Sequence, residues 1–297
     1  MDRRARDIAL LPNPVAGKGD NDPAVAAVAA RLRHAGFAVR ELLGGSAEES
    51  LTLAREAVAA GAEALVVVGG DGMVHLGTQV LAGTDLPLGI VPRGTGNDTC
   101  RSLGIPLRDP MAAADLVVAQ RTRTIDLARS GDRYFVTVMA AGFDAAVNER
   151  ANRMTWPQGN ARYTLALLAV LREFRPLRYT LDLDGQTREL DAMLVSIGNG
   201  DSMGGGLKVT HGADLSDGLL DVVLFHPVPK RELVTSYPKI FSGGHTRHPA
   251  YERHQVRRVT VAAAGVVAYA DGERFGALPL TVEVVPQALR VFAPAAP

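Results

Sequence analysis

The sequence of 297 residues contains one cysteine, Cys100. No intramolecular disulfide and no cysteine-based zinc site can form, which points to a reducing compartment. Net charge is also missing, since 32 Lys and Arg balance 32 Asp and Glu. That balance argues against a nucleic-acid binder working through a basic surface. Long apolar runs are absent as well: Ala161 to Leu171 and Val261 to Ala270 fall far short of the ~18–20 residues that span a bilayer, so no transmembrane helix is expected. Behind Arg3 and Arg4 the apolar run Ile8 to Leu11 stops at Pro12, too short for a signal-peptide core, and the expected location is the cytoplasm. Lysine is scarce, with only Lys18, Lys208, Lys230 and Lys239 among the basic residues, so each one carries added interest. Apolar residues are plentiful, 47% of the chain. They suffice for the core of one large or two ordinary domains and exclude general disorder.

Periodicity divides the chain. Ile8 to Leu11 predicts a strand, Pro23 to Ala35 a helix, Phe37 to Glu41 a strand and Ala47 to Ala60 a helix. Leu65 to Val68 then predicts a strand, Val74 to Leu81 a helix and Leu88 to Val91 a strand. This rhythm implies an α/β domain whose parallel sheet is covered by helices and collects ligands at the strands' carboxyl ends. After Ile125, strands joined by turns are expected at Tyr134 to Met139, Tyr179 to Leu183, Arg188 to Ile197, Leu219 to Phe225, Val256 to Ala262 and Leu280 to Val285. Asp184-Gly185 signals a hairpin, and one helix, Asn160 to Phe174, interrupts the series. We expect residues 1–127, joined by the tail at about 287–297, to form the α/β domain, and residues 128–286 a mainly antiparallel β domain.

The most informative segment runs from the strand at Leu65 into Gly69-Gly70-Asp71-Gly72. Glycines there let backbone N–H groups approach an anion, and the start of a helix adds positive potential. Asp71 would repel phosphates unless a divalent cation lies between them, so Mg²⁺ is implied if phosphate binds. Taken alone, the segment is equally a tight turn. A second loop, Pro92-Arg93-Gly94-Thr95-Gly96-Asn97-Asp98, leaves the next strand, and two such loops on consecutive strands favour a nucleotide phosphate site. A third, Asn13-Pro14-Val15-Ala16-Gly17-Lys18-Gly19, is not a Walker A loop, because Pro12 stands where the first glycine should be. No segment matches the GxGxxG dinucleotide fingerprint.

These segments, with Asp217-Gly218-Leu219-Leu220-Asp221 and Asp271-Gly272-Glu273, occur in order over nearly the whole chain. Together they resemble the diacylglycerol kinase catalytic-domain family, the soluble lipid kinases that include bacterial diacylglycerol kinases and sphingosine kinases. GGDG alone would also suit a phosphofructokinase or an NAD kinase; the GTGND loop is the more specific signal. The resemblance implies an N-terminal nucleotide-binding domain, a C-terminal β-sandwich that receives the lipid, and a cleft for ATP and the lipid headgroup. It places Asn13, Gly17, Lys18, Gly69, Gly70, Asp71, Gly72, Gly94, Thr95, Gly96, Asn97 and Asp98 on the nucleotide, with Asp71 also on the catalytic Mg²⁺. It implies Glu273 or Asp271 as the base that takes the lipid hydroxyl's proton, Glu273 being favoured, and Asp126 as the acid that organises metal and base. Asp217 is implied as ligand of a structural Mg²⁺. By composition alone Asp271-Gly272-Glu273 is a hairpin turn, Asp126 a strand-end acid and Asp217 a bare Asp-Gly turn.

The chain departs from the family pattern at Met73 and His75, where Thr and Asn are usual, and this leaves the nucleotide preference open. The stretch Met139-Ala140-Ala141 is also less polar than usual. Six arginines and a single acid between Arg150 and Arg178, with Trp156, suit either contact with anionic headgroups or a core-packed helix with a solvated face. A second basic run, His245 to Arg258, reads as a solvated loop or a phosphate-facing rim rather than a zinc site. The expected function is an ATP-dependent lipid kinase meeting diacylglycerol or a related lipid at the inner face of the membrane, with no nucleic-acid partner. A soluble-substrate kinase of the NAD kinase type and an inactive lipid- or nucleotide-binding protein stand as alternatives. Oligomeric state is left open, a homodimer among the options.

Overall fold

The computed structural model describes residues 6–14, 22–154, 156, 165, 166, 169, 170 and 175–295. Gly17, Lys18 and most of the helix expected over Asn160 to Phe174 lie outside the described residues. The chain divides into two units, Met1–Leu127 with Val285–Pro297, and Ala128–Val284.

The first unit alternates β1 (Asp7–Pro12), α1 (Pro23–His34), β2 (Ala38–Glu41), α2 (Ala47–Ala59), β3 (Ala64–Gly69), α3 (Asp71–Leu81) and β4 (Pro87–Pro92). Two further helices, α4 (Asp98–Leu103) and α5 (Pro110–Val118), precede β5 (Thr122–Ser130). The sheet runs β2-β1-β3-β4, all parallel, and the last residues of the chain's final strand join it, with Arg290 beside Pro87. Every residue of β3 is buried. That is the signature of a strand covered on both faces, and it explains the unbroken Leu65-Val66-Val67-Val68 run. The register sets Pro12 beside Val68 and Gly69 beside Pro92, so three neighbouring strands end level and release their loops on one edge. Helix starts are fixed locally: Asp22 caps α1 through Ala24 N–H, and Ser46 caps α2 through Glu49 N–H.

The second unit is an antiparallel sandwich. It contains β6 (Arg133–Phe135), β7 (Val138–Gly142), α6 (Phe143–Arg153), β8 (Leu177–Leu183), β9 (Gln186–Ala192), β10 (Leu194–Gly198) and β11 (Leu220–Phe225). After α7 (Lys230–Ile240) come β12 (Tyr251–Val256), β13 (Arg258–Ala262), β14 (Val267–Ala270), β15 (Glu273–Ala277) and the start of β16 (Leu280–Phe292), whose residues from Val285 on belong to the first unit. One sheet has the order β12-β11-β10-β7-β14-β15; in the other, β8 pairs with β9 and with β13, and β13 with the first residues of β16. Phe135, Met139, Tyr179, Leu181, Ile197, Val222 and Val261 interdigitate in the core from both sheets. Asp184 and Gly185 both have positive φ, 50° and 90°, and make the two-residue turn of the β8–β9 hairpin.

Several expected spans are divided. The strand expected over Tyr134 to Met139 breaks at Val136-Thr137, whose N–H groups leave the ladder for a side chain described below. The strand expected over Arg188 to Ile197 is two strands, β9 and β10, and Val256 to Ala262 spans the junction of β12 and β13. Helices α4, α5, α6 and α7 were not expected.

At one edge of this unit the carboxylate of Glu252 accepts hydrogen bonds from Arg188 Nη1 at 2.7 Å and from Nε2 of both His226 and His254 at 2.6 Å. Burial alone would raise its pKa, but these donors outweigh burial and bring it from 4.5 down to about 2. A carboxyl lowered on folding stabilises the native state above its unfolded pKa, and that contribution disappears as pH falls through the folded value. Urea titrations of wild type and Glu252→Gln should therefore show the variant less stable at pH 7, with the gap closing between about pH 4.5 and 2.

Candidate functional site

In the first unit the loops after β3 and β4 touch through their backbones. A Cβ built on Gly70 would lie 2.9 Å from Gly94 Cα, and one on Gly94 would meet Gly70 Cα in turn. Only glycine at both positions permits this approach. Arg93 N–H donates to Gly69 O at 2.8 Å, and Asn13 N–H donates to Val68 O at 3.0 Å, so the β1 loop starts at the same place.

Asp71 fastens the two loops. Its Oδ2 accepts the Asn97 N–H and its Oδ1 the Asp98 N–H, each at 2.8 Å. Both donors are buried at the start of α4, where helical N–H groups lack intrahelical partners. Asn97 adopts the left-handed conformation, φ 53°, and closes a ring on Gly94: its Oδ1 accepts Gly94 N–H at 3.0 Å and its Nδ2 donates to Gly94 O at 2.8 Å. Thr95 stays exposed at the tip. The result is a glycine-lined cradle edged by the N-terminus of α3. The Arg93 guanidinium stands at its rim, 3.2 Å from Asp22.

Above Gly96 two carboxylates converge: Asp71 Oδ2 and Asp98 Oδ2 lie 2.5 and 3.3 Å from the point a Cβ would occupy. Among the described residues no group of three or more His, Cys, Asp or Glu is arranged to hold a metal ion. Asp126, buried on β5, accepts Gln287 N–H at 2.7 Å and so fixes the last strand where Gln287 takes φ 53°. Cys100 is buried behind the cradle; desolvation, then the Asp71 charge, push its thiol far above the ordinary range.

In the second unit Asp271 and Gly272, at φ 50° and 84°, form the two-residue turn between β14 and β15, with Ala270 paired to Glu273. Asp271 is buried and accepts Val136 N–H and Thr137 N–H at 2.8 Å each, and Thr137 Oγ1–H at 2.6 Å. Asn199 completes the arrangement by donating Nδ2–H to Val136 O at 2.8 Å. Glu273, two residues along, is exposed. On β14, opposite Arg274, the Tyr269 hydroxyl donates to Glu149, whose carboxyl is thereby held below its usual range. Asp217 sits on an exposed turn with Oδ1 on Leu219 N–H at 2.9 Å. Asp71, Gly70, Gly94, Asn97 and Asp98 are thus brought together in one unit, and Asp271 and Glu273 share a turn in the other. Thr137 and Asn199 were missed by the sequence reading; the Asn199-Gly200 pair after a strand was the available signal.

Residues 7–130 match the diacylglycerol kinase catalytic domain, and residues 137–293 match the YegS C-terminal NAD kinase beta sandwich-like domain. A protein named diacylglycerol kinase from Mycobacterium tuberculosis (strain H37Rv) is 45% identical over 294 residues, covering 97% of this chain and 95% of its own length. Another diacylglycerol kinase, from Bacillus subtilis, is 27% identical and covers 93% of this chain and 92% of its own. The crystal structure of a diacylglycerol kinase from Bacillus anthracis superposes with a TM-score of 0.74 at 19% identity, covering 98% of this chain and 97% of the other. For an NAD kinase from Archaeoglobus fulgidus in complex with ATP the values are 0.55, 14%, 96% and 93%. These last two likenesses concern the fold.

The geometry around Asp71 generates two predictions. Asp71→Asn replaces one accepting oxygen with a donor facing an N–H, and should lower unfolding stability by about 1.5–3 kcal/mol without any nucleotide present, measured by chemical denaturation. Cys100 should resist a thiol reagent such as DTNB in the native protein and react once unfolded; rapid native labelling would contradict its placement.

Proposed function

This chain belongs to the diacylglycerol kinase catalytic-domain family and is a lipid kinase that uses ATP, and on that premise we propose that its acceptor is diacylglycerol or a closely related lipid met at a membrane surface. The observation that carries the site assignment is the cradle in which Gly70 meets Gly94 and Asp71 clamps Asn97 and Asp98. Backbone N–H groups beside a helix N-terminus suit phosphate oxygens, because they supply positive potential with no side chain to reorganise. Gly69, Gly70, Gly72, Gly94, Thr95, Gly96 and Asn97 take the ATP phosphates, and Arg93 adds charge at the rim. Asn13 starts the β1 loop at the same edge, and Gly17 and Lys18 are assigned to the nucleotide on the family motif alone.

The oxygens of Asp71 and Asp98 that converge above Gly96 are donors of the type a hard divalent cation takes. We assign Mg²⁺ to them, with Asp126 as a supporting acid; bound there with ATP, the ion neutralises charge on the phosphates during transfer. Glu273 accepts the proton of the lipid hydroxyl as that oxygen bonds to the γ-phosphorus, and the bond from the γ-phosphorus to ADP breaks. Asp271 is a positioning residue in this scheme, since its oxygens hold Val136, Thr137 and the turn that presents Glu273. A second ion at Asp217 would meet a carboxylate whose Oδ1 already accepts Leu219 N–H.

Transfer of labelled γ-phosphate from Mg·ATP into mixed micelles carrying diacylglycerol, sphingosine or monoacylglycerol, with lipid-free NAD alongside, tests the reading. Label in diacylglycerol supports it, label in another lipid reassigns the acceptor, and label only in NAD overturns it. Glu273→Gln should lower kcat by about 10²- to 10⁴-fold with ATP affinity and melting temperature unchanged. Asp271→Asn should lower the melting temperature as well, because it removes an acceptor from buried N–H groups.

A further inference from the structure

Helix α7 has two apolar faces. Leu233 and Ser236 are buried on the inner one, where Tyr237 and Ile240 close a cavity with Phe143 and Phe225 beneath. That cavity measures ≈ 30 Å³, room for about two water molecules and far too little for an acyl chain. The inner face is therefore already seated on the sandwich. On the outer face Val234 and Phe241 are each 50% exposed, two of the five exposed large hydrophobic residues among those described, and Pro238 is exposed between them. At 3.6 residues per turn, positions 234, 238 and 241 fall within an arc of roughly 60°. Lys230 borders the arc on one side and Arg231 on the other.

Charge gathers at the same place. From Lys230 to Arg247 the basic residues are Lys230, Arg231, Lys239 and Arg247, and the single acid is Glu232, in a chain whose net charge is zero. Two of the chain's four lysines lie in this helix. Glu232 sits 3.8 Å from His248 Nε2. A helix with an aromatic and aliphatic stripe between lysine and arginine is suited to lie in the plane of a membrane interface, where the stripe enters the acyl boundary and the cations meet anionic headgroups. Val234 and Phe241 lie two turns apart on that face with Pro238 between them, an apolar stripe that water does not favour.

We propose that the outer face of α7, with Val234, Pro238 and Phe241 between Lys230 and Arg231 and with Lys239 further round the helix, is the surface on which the protein rests on an anionic bilayer. The proposal rests on the membrane-surface reading above and names the surface that carries it out. It places the docking face on α7 rather than at Trp156, a residue that is itself exposed.

The test is co-sedimentation of the full chain with vesicles of phosphatidylglycerol and phosphatidylcholine in equal parts, and with vesicles of phosphatidylcholine alone. Wild type should sediment with the anionic vesicles. Val234→Ser/Phe241→Ser should reduce its partition at least tenfold, while turnover of a short-chain acceptor dispersed below its micelle concentration stays at the wild-type level. Lys230→Gln/Arg231→Gln/Lys239→Gln should abolish the preference for anionic vesicles and flatten the dependence on salt. Wild-type sedimentation that survives the double substitution, or that is lost with Trp156→Ser instead, overturns α7 as the docking face and leaves the membrane reading standing. Wild type that stays in the supernatant with both vesicle types overturns the membrane reading and this surface together.

Discussion

A carboxylate that accepts two consecutive backbone N–H groups from a distant segment is the interaction on which the site depends. Asp71 does this for Asn97 and Asp98, Asp271 for Val136 and Thr137, and Asp184 for Arg257 and Arg258. Adjacent N–H groups point the same way at a helix N-terminus, as at Asn97 and Asp98, or where a strand is interrupted, as at Val136 and Thr137, and there a donor without a ladder partner is left. Buried, such a donor costs about 1–3 kcal/mol if nothing accepts it. One ionised carboxylate satisfies both through charge-assisted bonds and in doing so fixes two loops against each other. The Gly70–Gly94 contact and the Asp71 clamp are complementary. The glycines permit the backbones to meet, and the acid holds them there.

This use of acids divides the labour among those that chemistry could recruit. Asp71 and Asp271 are committed to backbone donors, so their positions follow from the fold and hold before any substrate arrives. That is the preorganisation that electrostatic catalysis needs, since groups already aligned need not be reoriented during the reaction. Glu273 stands apart from them, exposed, on a turn that Asp271 holds rigid. In the proposed mechanism the two-residue turn therefore supplies the fixed support, and the strand residue that follows it supplies the group that exchanges a proton.

The α/β unit was legible because burial on both faces leaves a plain trace: β3 reads as an unbroken apolar run, and the glycines after it mark the strand's end. The hairpin at Asp184-Gly185 was legible for a similar reason, as its left-handed backbone demands those residue types. The β unit was harder. The break at Val136-Thr137 has no local signal, because both residues favour strands and the cause lies some 135 positions away at Asp271. Helix α7 was missed because Pro238 lies within its span and its outer face carries Val234 where a polar residue is the rule. The family motifs identified Asp71 and Asp271 as important but could not show that their oxygens face backbone N–H groups, since that partnership depends on tertiary contact.

Met73 shows how structure changes the weight of a sequence departure. As a replacement for a threonine it reads as the loss of a hydroxyl beside the phosphates. In the fold its side chain is buried and lies over Gly69, filling the space where a Cβ on that glycine would be. The residue at 73 thus braces the junction of β3 and α3 from within, and the cradle's polar surface comes from main-chain groups and from Asn97. A cradle built on the backbone does not need that hydroxyl, so long as the side chain in its place keeps the junction packed. Methionine, long and unbranched, can bend down over Gly69 and do so.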